Sequence, residues 1–148
     1  MQALSYRIED LLPHRPPMVL IDEIVSFDRE TETLVAAFEA RREWSESFAA
    51  IEFMAQTAAA LVGIVDREQG LSVAAKPGFL LGSRRMDLRF DRFEIGKRYH
   101  VRATCLFNDV QTASFECAIE DDGQVIASAT ISAYRPDDIE SFMEEQRL

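Results

Sequence analysis

The chain has few of the residues that staple folds or hold metals. Its 148 residues include two cysteines, two histidines and one tryptophan. Two thiols, Cys105 and Cys117, do not make a disulfide framework. With no Cys-x-x-Cys and no His-x-x-x-His spacing, a metal site is not expected. Six glycines and five prolines are too few for a disordered chain. Acids outnumber bases 26 to 16, a formal charge of −10, which argues against a nucleic-acid partner because phosphate binding needs an excess of Lys and Arg. Apolar residues are dispersed, and no run approaches the roughly 20 that a membrane span needs. The first ten residues, MQALSYRIED, are polar and carry acids, unlike a secretory leader. The expectations are no membrane span and cytoplasmic residence. No glycine-rich phosphate loop, Gly-x-Ser-x-Gly or Ser/His/Asp spacing supports acyl transfer through a covalent intermediate.

Nearly half of the residues are apolar, and the length suits one domain, residues 1–148, with a real core. Met18 to Phe27 (MVLIDEIVSF) is β-branched and apolar and predicts a strand. A polar turn over Asp28 to Glu32 leads to a second strand, Thr33 to Ala40. The connector Arg41 to Ser47 offers Ser45 or Ser47 as a helix N-cap. Phe48 to Gln69 is alanine-rich, apolar almost all round and followed by Gly70 at a C′ position, which predicts a long helix wrapped by other structure. Ala55, Ala58, Ala59 and Gly63 let a sheet approach it.

After a loop to Pro77 the pattern becomes β. In Gly82 to Phe90, Met86, Leu88 and Phe90 alternate with Arg85, Asp87 and Arg89, the period of a half-buried strand. Gly96 marks a turn. Tyr99 to Phe107, Thr112 to Glu120 and Gln124 to Tyr134 follow as strands, joined at Asn108-Asp109 and Asp121-Asp122-Gly123. The first hairpin sets Cys105 near Ser114, so the cysteines do not face each other and read as small buried apolar groups. Pro136 opens an acidic tail, 136–148, with room for one short helix over Asp137 to Gln146. The order predicts an α+β hotdog fold, an antiparallel sheet wrapped around one long central helix. Such a sheet leaves an edge uncovered, so dimerisation is expected.

Charge is uneven along the chain. Lys76 to Arg102 holds eight bases against three acids, a local +5 that leaves −15 elsewhere. This band either docks an acidic partner or a phosphate, or is a solvated strand face of paired charges.

Two polar residues interrupt the apolar helix, Glu52 and Gln56, four apart and therefore on one face. A carboxylate there must be paired or have its pKa raised by burial. It lies in about the second helical turn, where the dipole favours negative charge on the carboxylate or on a substrate oxyanion. The bland alternative is a carboxylate that caps nearby N–H groups or reaches solvent. His14 sits among Pro13, Pro16 and Pro17 at the mouth of the first strand, as a structural group or as a base. His100, in YHVRATC, is expected to point out from an edge or a sheet face.

Three segments carry a resemblance. LPHRPPMVLIDEIV resembles the Leu-Pro-His-Arg-x-Pro-(hydrophobic run)-Asp segment of the β-hydroxyacyl-(acyl carrier protein) dehydratases. IEFMAQTAA is similar to the Glu-x-x-Ala-Gln start of that family's central helix, and GFLLGSRRMDLRF to its Leu-Leu-Gly strand. They fall in family order over about residues 10 to 90. The resemblance implies a β-hydroxyacyl thioester on the phosphopantetheine arm of acyl carrier protein. A histidine removes the α-proton, a helix carboxylate helps the hydroxyl leave, and N–H groups at the helix N-terminus hold the thioester oxygen. Glu52 matches that carboxylate. The family's histidine loop, His-Phe-x-x-x-Pro-x-x-Pro-Gly, has no counterpart: FEARREWSESFAAIE holds neither histidine nor proline. The chain thus resembles the divergent branch of predicted dehydratases in aryl-polyene biosynthesis.

What the resemblance implies for the site is Glu52 and His14 as the acid–base pair, with Gln56 orienting Glu52. Pro13 and Phe48 would line the acyl site. Arg84, Arg85 and Arg89 would meet the acidic carrier protein or the pantetheine phosphate. The rivals are thioester hydrolysis, as other hotdog proteins perform it, and a non-catalytic acyl-binding subunit beside an active dehydratase. The expected assembly is a homodimer, or a heterodimer with a second hotdog protein. A His14 ring within about 4 Å of Glu52 would favour dehydration. A pocket filled by Trp44 or Phe48 would favour mere binding.

Overall fold

The computed structural model describes residues 19–68, 79–109 and 112–134, with side chains from 82 onward in the second span. Six strands form one sheet: β1 (Glu23–Asp28), β2 (Thr33–Glu39), β3 (Phe79–Leu88), β4 (Arg98–Asn108), β5 (Thr112–Asp121) and β6 (Gln124–Tyr134). Their spatial order is β1-β2-β4-β5-β6-β3, and every neighbouring pair is antiparallel. One helix, α1 (Ala50–Glu68), follows a 3-10 turn at Ser47–Ala49. Phe53, Met54, Ala58, Ala60, Leu61 and Ile64 of α1 are buried against inward residues of β2, β4, β5 and β6, among them Leu34, Val101, Phe115, Ile119 and Ile131. This is the expected hotdog arrangement. Residues 47–68 are long and apolar enough by composition to cross a membrane, contrary to the expectation that no run comes close. Here that helix is the core element the sheet wraps.

The first strand begins later than expected, at Glu23 rather than Met18, which itself lies outside the described residues. The cause is a change of hydrogen-bond partners. Asp22 donates its N–H to the Ala37 carbonyl at 2.8 Å, and its carboxylate accepts from the Glu39 N–H and the Arg41 guanidinium, each at 2.6 Å. A side chain thus continues the ladder for one more residue. Two residues earlier, the Leu20 N–H turns to the helix instead, donating to Gln56 Oε1 at 2.8 Å. Leu20 and Ile21 are buried as the chain crosses from sheet edge to helix.

The helix start also differs. Neither serine caps it: Ser45 Oγ donates to the Arg42 carbonyl at 3.0 Å. The Ser47 N–H reaches the Asp91 carbonyl at 3.2 Å, and the Phe93 N–H reaches the Ser45 carbonyl at 2.7 Å. The segment after β3 therefore clamps the approach to the helix. Buried Phe93 packs edge-on to Phe38 and Phe53, which stack on each other with centroids 3.7 Å apart. That aromatic cluster fixes the first turn of α1.

The β3 alternation is interrupted. A bulge between Arg84 and Asp87 sets Arg85 and Met86 against one position of β6, with Arg85 at φ 56°. Met86 and Leu88, expected to be half-buried, are 37% and 36% exposed. In the β4–β5 hairpin Cys105 faces Phe115 and Cys117 faces Ala103, so the thiols are apart as expected. A bulge near Leu106 shifts the pairing one residue from Ser114. The Gly70 cap, the loop to Pro77 with Lys76, and the tail helix lie outside the described residues.

Candidate functional site

Glu52 stands in the first turn of α1, nearer the N-terminus than the sequence implies because the preceding turn is 3-10. Four residues on, Gln56 is fully buried. Its Nε2 donates to Glu52 Oε1 at 3.1 Å, while its Oε1 accepts the Leu20 N–H. The two bonds fix the orientation of the amide, since only its NH2 end can donate to a carboxylate. Gln56 thereby ties three things together: the helix, the half-buried Glu52 carboxylate, and the chain that leads back toward the Leu-Pro-His segment. Glu52 is thus bonded rather than loose, at the positive end of the helix dipole.

The other predicted site residues fall in different places. His14 and Pro13 lie outside the described residues. Phe48 precedes Glu52 by one helical spacing and is 66% exposed. Trp44 is partly buried against the core. His100 sits on the outer face of the sheet, on the central strand β4 between Ala37 and Glu120, far in face from the helix that β4 covers with Val101 and Ala103. Among the described residues no group of His, Cys, Asp and Glu has the geometry to hold a metal.

The basic band divides in two. Lys97 pairs with Asp121 at 2.6 Å, Arg102 with Glu120 at 3.0 Å, Arg92 with Glu46 at 3.1 Å, Arg89 with Asp87 at 2.8 Å, and Arg98 with Glu23. These are exposed or half-exposed pairs on strand faces and loops, each worth little to stability. Arg84 and Arg85 are exposed and have no carboxylate partner among the described residues. The thiols take no part: burial pushes Cys117 up to about 12 and Cys105 up to about 11, so both stay protonated at neutral pH.

Sequence reasoning finds Glu52 and Gln56 because polar residues stand out in an apolar helix. It misses Leu20, whose contribution is a backbone N–H, and Phe93 with Asp91, which hold the helix start from a loop. The one signal for the latter is an aromatic residue in the otherwise polar DRFEIG.

The sheet-and-helix geometry is shared with solved structures. A chain of the dehydratase heterocomplex ApeI:P from Xenorhabdus doucetiae superposes with a TM-score of 0.85 at 21% identity, covering 98% of this chain and 100% of that one. An HP0420 homologue from Helicobacter felis gives 0.65 at 10% identity, with 88% and 89% covered. A mutant of the phenylacetic acid degradation protein PaaI from Thermus thermophilus gives 0.55 at 18% identity, with 77% and 92% covered. At such identities the likeness is one of fold. No curated protein matches the chain. The family described as ApeP-like, ApeP dehydratase, matches residues 6–144. Since that match takes in the Leu-Pro-His segment, the Glu52–Gln56 turn and all six strands, the chain belongs to the ApeP-like dehydratase family.

Proposed function

We propose that the chain dehydrates a β-hydroxyacyl thioester carried on acyl carrier protein, with Glu52 as the group that protonates the departing hydroxyl. The observation that carries this reading is the Leu20–Gln56–Glu52 chain of hydrogen bonds. It holds a carboxylate in one place at a helix start, where N–H groups can polarise a thioester oxygen. In the reaction a base takes the α-proton, the C–O bond breaks, a C=C bond forms, and the hydroxyl takes a proton from Glu52 and leaves as water. No metal or cofactor is needed for that balance. His14 is the base this reading assigns. It stands six positions before Leu20 in the chain, the residue whose N–H bonds to Gln56. Gln56 acts as a positioning residue.

A second reading has one observation in its favour. The only histidine among the described residues, His100, lies on the outer face of the sheet, and the stretch before α1 holds none. A chain that lacks the family's usual base would serve as the acyl-binding subunit of a pair, beside a second hotdog chain. The relative from Xenorhabdus doucetiae belongs to a heterocomplex, which agrees with such a pairing. An exposed Phe48 does not fill an interior pocket, which favours an open site over a blocked one.

The experiment is incubation of the purified chain with a β-hydroxyacyl carrier-protein thioester, followed by mass. Loss of one water supports dehydration. Release of free acid assigns hydrolysis instead. An unchanged thioester that turns over only when a second hotdog chain is added assigns the accessory role.

A further inference from the structure

Residues 91–97 run as a strap along the approach to α1 and are bonded to it at both ends. The Ser47 N–H donates to the Asp91 carbonyl and the Phe93 N–H to the Ser45 carbonyl. Between these bonds Glu46 and Arg92 face each other in an antiparallel bridge. At the other end the Gly96 N–H donates to the Ala40 carbonyl at 2.8 Å, and the Ala40 N–H to the Lys97 carbonyl at 2.9 Å. In the middle the Glu94 N–H donates to the Tyr99 hydroxyl at 2.8 Å. The approach so held, residues 40–47, belongs to FEARREWSESFAAIE, which has no proline. With no pyrrolidine ring to fix φ there, backbone bonds to the strap restrain it.

One side chain carries the strap into the core. Phe93 is buried, with its ring edge-on to Phe38 and Phe53 at 5.4 Å and to Tyr99 at 5.0 Å. Phe53 is the residue after Glu52, and neighbours on a helix point about 100° apart. Whatever fixes the direction of Phe53 therefore fixes that of Glu52. Side chains extend about 5–6 Å from a helix axis, so a rotation of about 20° carries a carboxylate about 2 Å. A misplacement of about 1 Å can cost about 10²-fold in rate. Gln56 does not prevent such a rotation through its bond to Glu52, because both residues ride on α1. The bond from the Leu20 N–H to Gln56 and the contacts of Phe93 with Phe53 are what refer the first turns to the rest of the fold.

We propose that Phe93 is a positioning residue for dehydration: its ring, held by the strap of residues 91–97, sets the rotation of the first turn of α1 and so aims Glu52 at the departing hydroxyl. The proposal rests on the reading of Glu52 as the acid. Phe93 acts on the aim of that carboxylate and not on substrate binding, so its effect falls on kcat and disappears when the carboxylate is gone.

The test compares the full-length wild type with Phe93→Leu and Tyr99→Phe, each also combined with Glu52→Gln. Leucine keeps an apolar side chain and loses the ring edge. Tyr99→Phe keeps its ring and removes the acceptor of the Glu94 N–H, so it loosens the strap gently and decides the matter should Phe93→Leu not fold. One arm is amide hydrogen exchange read by NMR, which needs no turnover. The Leu20 N–H, bonded across to the helix, should lose protection roughly tenfold more than the Ile119 N–H of the core in Phe93→Leu, and less in Tyr99→Phe. The other arm is steady-state kinetics on a β-hydroxyacyl carrier-protein thioester. Phe93→Leu should lower kcat about 10²-fold with KM little changed, and Tyr99→Phe should lower it less. In the Glu52→Gln background either substitution should cost less than about threefold, because residues that act through one another are not additive. An equal loss in both backgrounds makes Phe93 merely structural and overturns the proposal. So does a raised KM with kcat unchanged, or Leu20 exchange that rises no more than that of Ile119. A Glu52→Gln variant as active as the wild type overturns the reading of Glu52, and the proposal with it, even where the exchange arm shows that Phe93 sets the helix. Unchanged exchange beside an inactive Glu52→Gln overturns the proposal alone.

Discussion

Gln56 is a polar side chain with no exposure to water, and its two hydrogen bonds explain why an apolar helix tolerates it. A Gln56→Leu variant keeps the volume and leaves the Leu20 N–H without its acceptor. An unsatisfied buried donor costs about 1–3 kcal/mol, so chemical denaturation should show a loss of that size. Activity should fall further than stability explains, since Glu52 loses the donor that holds it. The pair was legible in the sequence because Glu52 and Gln56 break an apolar stripe at i and i+4. The role of Gln56 was only half legible. That it orients Glu52 follows from spacing, but that it also receives the Leu20 N–H does not, because a backbone N–H leaves no mark on residue type.

At the scale of elements, the hydrophobic periods located all six strands and the helix, while their ends were set by contacts the sequence does not display. The first strand starts five residues late because Asp22 replaces the ladder with its carboxylate and Leu20 departs to the helix. Asp22→Ala removes the acceptor for the Glu39 N–H and the partner of Arg41. Thermal unfolding should show a destabilisation of about 1–3 kcal/mol, and Asp22→Asn, which keeps an acceptor oxygen, should lose less. Strand β3 shows the other kind of failure. Its alternation of Met86, Leu88 and Phe90 with charged residues is real in the sequence, but alternation signals an apolar face and not what covers it. Among the described residues the helix does not, leaving Met86 and Leu88 exposed, and the bulge at Arg85 further breaks the register.

For the whole molecule, the hotdog architecture followed from element order: two strands, a helix apolar on nearly every side, then strands in hairpins. The sites on it were less legible because they draw on residues distant in the chain, such as residues 20 and 56. The fold also predicts a response to alkali. Burial holds the Cys117 thiol up at about 12, against an ordinary value of 9.0. Its folded pKa is raised, so the stabilisation is fully present below about pH 9 and is lost as pH rises toward 12. Over that window the unfolded chain has released the proton that the folded chain still holds. Denaturation curves should therefore show stability declining above pH 9, and Cys117→Ala should flatten the decline. The most direct measurement of the account is the rate of water loss from a β-hydroxyacyl carrier-protein thioester, read by mass for the wild type, Glu52→Gln and His14→Ala at matched thermal stability. The account predicts turnover by the wild type and a drop of about 10²–10⁴-fold in each variant, as loss of an acid or a base implies. Water loss that survives both substitutions would contradict it.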